Sequence, residues 1–191
     1  MRDENTPTSR FRALVHDLAV FEGYEALRDL PLKDVPITTP ICQTMGKQWS
    51  DRGLVIVPIL RAGLGMVEGV LELAPVAKVG HLGLYRDPVT HEPHEYYANM
   101  PQDIAECDVI IVDPMLATGG SAVAAIRYLR ELGVENLKLM VLVAAPVGLK
   151  AVLEADSTVT VFTCAVDEKL NDRAYIVPGL GDAGERIFGT L

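Results

Sequence analysis

The chain has 191 residues, room for one domain with a full core, and its 49% hydrophobic and 23% charged residues match an ordinary globular protein. Its 17 basic residues against 26 acidic ones leave a net charge of -9, which argues against a broad nucleic-acid-binding face, although one or two arginines with backbone amides can still hold a phosphate. The three cysteines, Cys42, Cys107 and Cys164, have no metal spacing and read as small buried thiols of a reducing compartment. No apolar run is long enough to span a membrane, and Met1-Arg2-Asp3-Glu4-Asn5 lacks the apolar stretch of a signal peptide, so the cytoplasm is the expected location.

In chain order, Thr8 and Ser9 are the expected caps of a first helix, whose packed face carries Phe11, Leu14, Val15, Leu18 and Phe21. Pro31 to Pro40 reads as extended chain. Leu54-Val55-Ile56-Val57, between Gly53 and Pro58, has the continuous apolar character of a strand buried on both faces. A helix from Met66 to Leu73 follows, then strands from Val79 to Tyr85 and from Val109 to Val112. The next helix sets Ala122, Ala125, Ile126, Leu129 and Leu132 on one face and stops at Gly133. Leu137 to Ala144 is a strand, Val147 to Ala155 a helix and Thr158 to Ala165 a strand. This alternation predicts an α/β fold, a single domain over 1–191 with a parallel sheet covered by helices on both faces. Ligands bind such sheets beyond the C-terminal strand ends. The proline-rich segment 85–103, with Pro88, Pro93, Pro101, Tyr96 and Tyr97, breaks the alternation. It reads as an active-site flap, a β-arm in a dimer, or both.

Three stretches carry the chemistry. In Asp113-Pro114-Met115-Leu116-Ala117-Thr118-Gly119-Gly120-Ser121, a strand passes into a helix through small residues. Backbone N–H groups and the positive end of the helix dipole suit a phosphate there. Thr118 and Ser121 can add hydroxyl donors, and a Cβ on Gly119 would fill the space the phosphate needs. Asp113, at the strand tip, can accept hydrogen bonds from sugar hydroxyls. In Val57-Pro58-Ile59-Leu60-Arg61-Ala62-Gly63-Leu64-Gly65-Met66, Arg61 beside bare amides suits a pyrophosphate. The rival reading is a dinucleotide fingerprint of Gly63, Gly65 and Gly69 with Asp87, which leaves Arg61 and the Asp113 loop without a task. The third stretch, Tyr175 to Gly184, has three glycines and a proline. It reads as an ordered loop, either closing the fold or forming a base pocket from its main chain. His91 and His94 with Glu92 and Glu95 read as a solvated loop, since Pro93 keeps them off one helical face.

The Asp113 loop resembles the phosphoribosyl-pyrophosphate (PRPP) motif of the type I phosphoribosyltransferases. Most of that superfamily has two adjacent acids before the loop; here Pro114 takes the second place, and D-P-M-L-A-T-G-G-S is similar letter for letter to the uracil phosphoribosyltransferase family. V-P-I-L-R-A-G-L-G-M resembles that family's pyrophosphate loop, and Tyr175 to Gly184 its uracil loop. The resemblance runs from about Ser9 to the end, and Met1 stands about one helix-length later than the start of family members.

The resemblance implies that uracil and PRPP give UMP and pyrophosphate with Mg²⁺, which PRPP and water carry without a dedicated protein site. PRPP would be bound by Arg61, Arg86, Asp113, Pro114, Met115, Leu116, Ala117, Thr118, Gly119, Gly120, Ser121 and Asp182. Uracil would meet Ile176, Gly181, Asp182 and Ala183 within a C-terminal hood, 167–191. Arg61, Arg86, Asp113 and Asp182 would carry the catalysis, with Asp182 supplying the carboxylate missing beside Asp113. It also implies a homo-oligomer, a GTP effector as in some relatives, and neither nucleic acid nor membrane as partner. The alternatives are a phosphoribosyltransferase-like regulator that binds pyrimidine-operon RNA, which the acidic charge disfavours, and an inactive nucleotide-sensing module, which the intact Arg61, Asp113 and Asp182 disfavour.

Overall fold

A computed structural model describes residues 1–86 and 93–190. Helix α1 (Thr8–Leu27) starts directly after Pro7, whose extended φ of -66° and ψ of 151° form the N-cap with no side-chain bond. Thr8 and Ser9 are therefore the first helical residues and do not cap. Proline's fixed φ and missing N–H suit the entry to a helix. The buried face runs through Phe11, Val15, Ala19, Glu22, Gly23 and Ala26. Phe21, expected on it, is 70% exposed, because the stripe steps by four residues and passes it by.

Strands β1 (Leu32–Thr38) and β2 (Gln43–Trp49) form an antiparallel hairpin. The extended reading covered β1; β2 is too polar to announce itself. Strand β3 (Leu54–Leu60) continues through Pro58, and α2 (Leu64–Leu73) follows. The strand expected from Val79 is divided at Gly80 into β4 (Lys78–Val79) and β5 (His81–Arg86). Then come β6 (Pro93–Asn99), a 3-10 turn at Ile104–Glu106, β7 (Asp108–Val112), β8 (Met115–Leu116), α3 (Gly120–Glu131), β9 (Asn136–Ala144) and α4 (Pro146–Ala155). The chain finishes with β10 (Thr160–Val166), β11 (Lys169–Leu170), β12 (Ile176–Val177) and α5 (Ala183–Phe188).

The main sheet has the order β10-β9-β7-β3-β5-β6, parallel except for β5 with β6. Successive residues of its central strands serve opposite cores. Ile56, Ile110, Met140 and Leu142 pack under α1 and α2, while Val55, Ile111, Leu139 and Val141 pack under α3 and α4 with Ile126, Leu129 and Val152. This explains the unbroken apolar runs, since a strand covered on both faces has no side for polar residues. Leu132, expected in the α3 stripe, follows the last helical turn as its C-cap and is 39% exposed. The reading of three buried thiols holds for Cys107 alone. Cys42 lies in the β1–β2 turn and Cys164 on the edge strand β10, and both are exposed. Among the described residues, no helix is long and apolar enough to cross a membrane.

One core residue is out of character. Glu22 is 6% exposed, and neither carboxylate oxygen has a hydrogen-bond partner among the described residues. Burial raises its pKa from 4.5 to about 8, and its charge adds to the desolvation that pushes up the Cys164 thiol on β10. A carboxyl with a raised folded pKa imposes no penalty below 4.5. The penalty grows as pH rises from there to about 8, then stays constant. At ~1.4 kcal/mol per pH unit this amounts to several kcal/mol. Glu22→Met, similar in volume, is expected to raise Tm at pH 8 by roughly 5–10 °C and much less at pH 5. Equal shifts at both pH values in thermal melts would show that packing, not ionisation, is responsible.

Candidate active site

Three loops meet beyond the C-terminal ends of the sheet. In the first, Asp113 directly follows β7, its N–H bonded to Met140 O at 3.1 Å. Its Oδ1 lies 3.5 Å from the Met115 N–H. The Pro114 carbonyl accepts from the N–H groups of Leu142 and Val143 at 3.1 and 3.0 Å, and Met115–Leu116 pair with β9 as β8. Pro114 is buried and Leu116 is 2% exposed, so both frame the loop from below. Ala117 to Ser121 then turn into α3. Gly119 is left-handed, with φ 89°, and Thr118 Oγ1 lies 3.5 Å from the N–H of Gly120, the first helical residue. The N–H groups of that turn lack intrahelical partners and suit an anion.

The role expected of Gly119 needs correction. A Cβ there would meet Ala151 Cβ at 2.9 Å and Gly148 O at 3.0 Å, which belong to α4, instead of filling a phosphate space. The positive φ adds strain for any L side chain. Gly119→Val is therefore expected to destabilise the whole domain by at least about 1–3 kcal/mol, with lost PRPP binding as a consequence. A denaturant midpoint equal to that of the parent, with PRPP binding lost, would restore the direct steric role.

In the second loop, the Leu60–Arg61 peptide is cis and Arg61 is exposed, its guanidinium 5.9 Å from the Phe188 ring centroid. A Cβ on Gly63 would lie 2.3 Å from Val112 O, so only glycine lets this loop press against the end of β7, beside Asp113. Gly69, which the dinucleotide reading would place near a phosphate, lies instead against His16 O and Ala19 of α1. Asp87, the acid of that reading, lies outside the described residues.

The third loop is partly regular. Lys169–Leu170 and Ile176–Val177 pair antiparallel, Val177–Pro178 is cis, and Gly179 and Gly181 have φ of 60° and 81°. Ala183 and Gly184 are not loop but the first turn of α5. Asp182 caps it, Oδ1 accepting the Glu185 N–H at 2.9 Å. The spacing Asp182-x-x-Glu185 is the helix-start signal that could have revealed this.

A cavity of about 250 Å³ joins the loops. Ala62 lines it from the second, Asp113, Met115 and Ala117 from the first, and Ile176, Gly181, Asp182 and Ala183 from the third. Ala174, Tyr175 and Gly184 also line it. Ala62, Tyr175 and Gly184 fell within the stretches singled out, while Ala174 lies just outside them and carries no chemical signal in the sequence. Larger clefts, of about 350 Å³ below the sheet beside Asp108 and about 430 Å³ between α1 and α2, gather none of the predicted site residues. Volume is thus a poorer guide than the convergence of motifs. Arg61 and the Thr118–Ser121 turn flank the cavity in sequence without lining it. Arg86 is the last residue of β5, opposite Pro93 on β6. His91 and Glu92 lie outside the described residues. Among the described residues, no three His, Cys, Asp or Glu side chains gather as a metal site.

Solved structures share this architecture. A purine phosphoribosyltransferase from Pyrococcus horikoshii superposes with a TM-score of 0.52 at 16% identity, over 82% of this chain and 83% of that one. A hypoxanthine phosphoribosyltransferase from Staphylococcus aureus gives 0.54 at 17%, over 84% and 75%. The fold is that of the type I phosphoribosyltransferases. Within that class the chain belongs to the uracil phosphoribosyltransferase family, whose profile matches residues 1–190. Uracil phosphoribosyltransferases of Alkaliphilus oremlandii and Lysinibacillus sphaericus are each 57% identical over 190 residues, 100% of this chain and 91% of theirs. A protein of Aquifex aeolicus with a solved structure is 40% identical with a TM-score of 0.92, over 98% of this chain and 89% of that one.

Proposed function

We propose that the chain transfers the 5-phosphoribosyl group of PRPP to uracil, giving UMP and pyrophosphate. The observation that carries this reading is the single cavity in which Asp113 of the phosphate loop faces Ile176, Gly181 and Ala183 of the base loop. Uracil N1 bonds to the anomeric carbon, the bond from that carbon to the pyrophosphate oxygen breaks, and the N1 proton is lost. The transition state resembles an oxocarbenium ion, so the protein acts chiefly by positioning and electrostatics. The first turn of α3 binds the 5′-phosphate, with Thr118 and Ser121 beside it. Asp113 orients the ribose hydroxyls and stabilises positive charge on the sugar. Arg61 and Arg86 hold the departing pyrophosphate, and Asp182 serves both base and ribose. Mg²⁺ would arrive on PRPP, held by substrate oxygens and water, with the Asp113 and Asp182 carboxylates on the same cavity to accept hydrogen bonds from its water. When bound, the ion neutralises charge on the leaving pyrophosphate.

The β5–β6 hairpin serves as the flap that excludes water, and residues 167–191 as the hood over the base. The role of arm between subunits goes to the β1–β2 hairpin, which leaves Leu32, Ile37, Ile41 and Met45 exposed, apolar surface that a second copy would cover. Sedimentation velocity tests this homo-oligomer. GTP activation is carried over from the family resemblance alone, while the cytoplasmic location is the expectation from the apolar pattern of the sequence. A regulator that binds RNA is not favoured, since the similar proteins bear an enzyme's name. The deciding experiment incubates the protein with PRPP, Mg²⁺ and each nucleobase, with and without GTP. UMP and pyrophosphate are expected from uracil; no product from uracil would overturn the reading.

A further inference from the structure

A pocket that reads its ligand through main-chain groups is only as accurate as its backbone. The base loop passes through Gly179 and Gly181, both at positive φ, where glycine's freedom works against a fixed shape. Its rigidity has to come from outside the loop.

Two arginines supply it, and neither lines the cavity. Asp167, just beyond β10, is tied to the sheet by its N–H, bonded to Ala144 O at 2.8 Å. Its carboxylate is 7% exposed and takes both ends of the Arg2 guanidinium, at 2.7 and 2.7 Å. Asp167 Oδ2 also accepts the Gly179 N–H at 2.8 Å, and Arg2 Nη1 donates to Gly179 O at 2.8 Å. Both backbone groups of Gly179 are thus held by one ion pair. The hydrogen bond from Arg2 holds the Asp167 carboxyl below its ordinary pKa. At the next residue, Arg186 donates from Nη1 to Leu180 O at 2.7 Å and from Nη2 to Asp3 O at 2.6 Å. Its guanidinium lies 4.3 Å from the Phe11 ring centroid on α1. Gly181 and Asp182, which line the cavity, come directly after these two clamped residues.

We propose that Arg2, Asp167 and Arg186 are positioning residues that set the base loop for uracil, acting through Gly179 and Leu180. None of the three lines the cavity, and none belongs to the motifs that carry the family resemblance. A bidentate arginine–carboxylate pair is directional, so lysine at position 2 cannot reproduce it. The inference rests on the uracil reading for its kinetic form, and on the loop geometry alone for its physical form.

The test compares the full-length parent with Arg2→Ala, Arg2→Lys and Asp167→Asn. Loss of the clamp is expected to raise KM for uracil about tenfold, with KM for PRPP changed less than about twofold. Arg2→Lys is expected to recover only part of the loss. Amide hydrogen exchange is expected to quicken at Gly179 to Asp182 in each variant, while β7 and the first turn of α3 keep the parent's protection. A variant melting well below the parent is judged at a temperature where circular dichroism shows it folded. Unchanged exchange at Gly179 to Asp182 would overturn the proposal, as would equal rises in both KM values. If the parent makes no UMP, the uracil reading falls, and the exchange data still decide whether the clamp exists.

Discussion

Cytosine is expected to react with PRPP at least about a thousandfold less efficiently than uracil. Ile176, Gly181 and Ala183 line the cavity, and on the proposed reading they meet the base through their main-chain groups. A backbone N–H cannot turn into an acceptor, and a carbonyl cannot become a donor. Uracil offers acceptor, donor and acceptor at O2, N3–H and O4. Cytosine replaces the last two by an acceptor and a donor, so two pairings set like against like. Each leaves buried groups unpaired at about 1–3 kcal/mol, and the two together give the stated ratio. 5-Fluorouracil keeps the edge and adds one small atom, so it should remain a substrate, while hypoxanthine is too large. Values of kcat/KM for the four bases test this; cytosine or hypoxanthine used as well as uracil would refute a pocket made of backbone.

Asp113→Asn is expected to lower kcat by about a hundredfold while changing PRPP affinity only a few-fold. Asparagine keeps an oxygen for the Met115 N–H, which now faces Asp113 Oδ1 at 3.5 Å, so the turn survives. What disappears is negative charge beside the sugar as positive charge develops on it. Single-turnover rates and calorimetric titration with PRPP separate the two effects. Undiminished turnover would reduce Asp113 to a cap of its own turn.

The parallel sheet was legible because its strands are covered on both faces. Leu54 to Val57 and Val109 to Val112 have no polar residue to hide, and composition alone marks them. The phosphate loop was legible for a different reason: small residues at a strand-to-helix junction have few other uses. The β1–β2 hairpin was half missed because β2, with Gln43, Thr44, Lys47 and Gln48, is mostly exposed and shows no alternation. The left-handed turn at Gly119 was legible, but its crowding by α4 was not, since only coordinates bring Ala151 and Gly148 against it. The clamp on Gly179 could not be read at all. Arg2 and Asp167 stand 165 positions apart, and neither has a neighbour in sequence that hints at the other.

The two halves of the cavity are held with different strength. Asp113 follows β7, which is paired on one side with β3 and on the other with β9, so the phosphate loop opens only when the sheet does. The base loop rests on the two-residue strands β11 and β12, a six-residue helix and a few side-chain bonds. Units so lightly tied open locally at a fraction of the global free energy. On heating, the protein should lose its affinity for uracil before its circular dichroism changes, while PRPP is still bound. Heat inactivation would then be a local and reversible event, and a melting temperature would overstate the range over which the protein works.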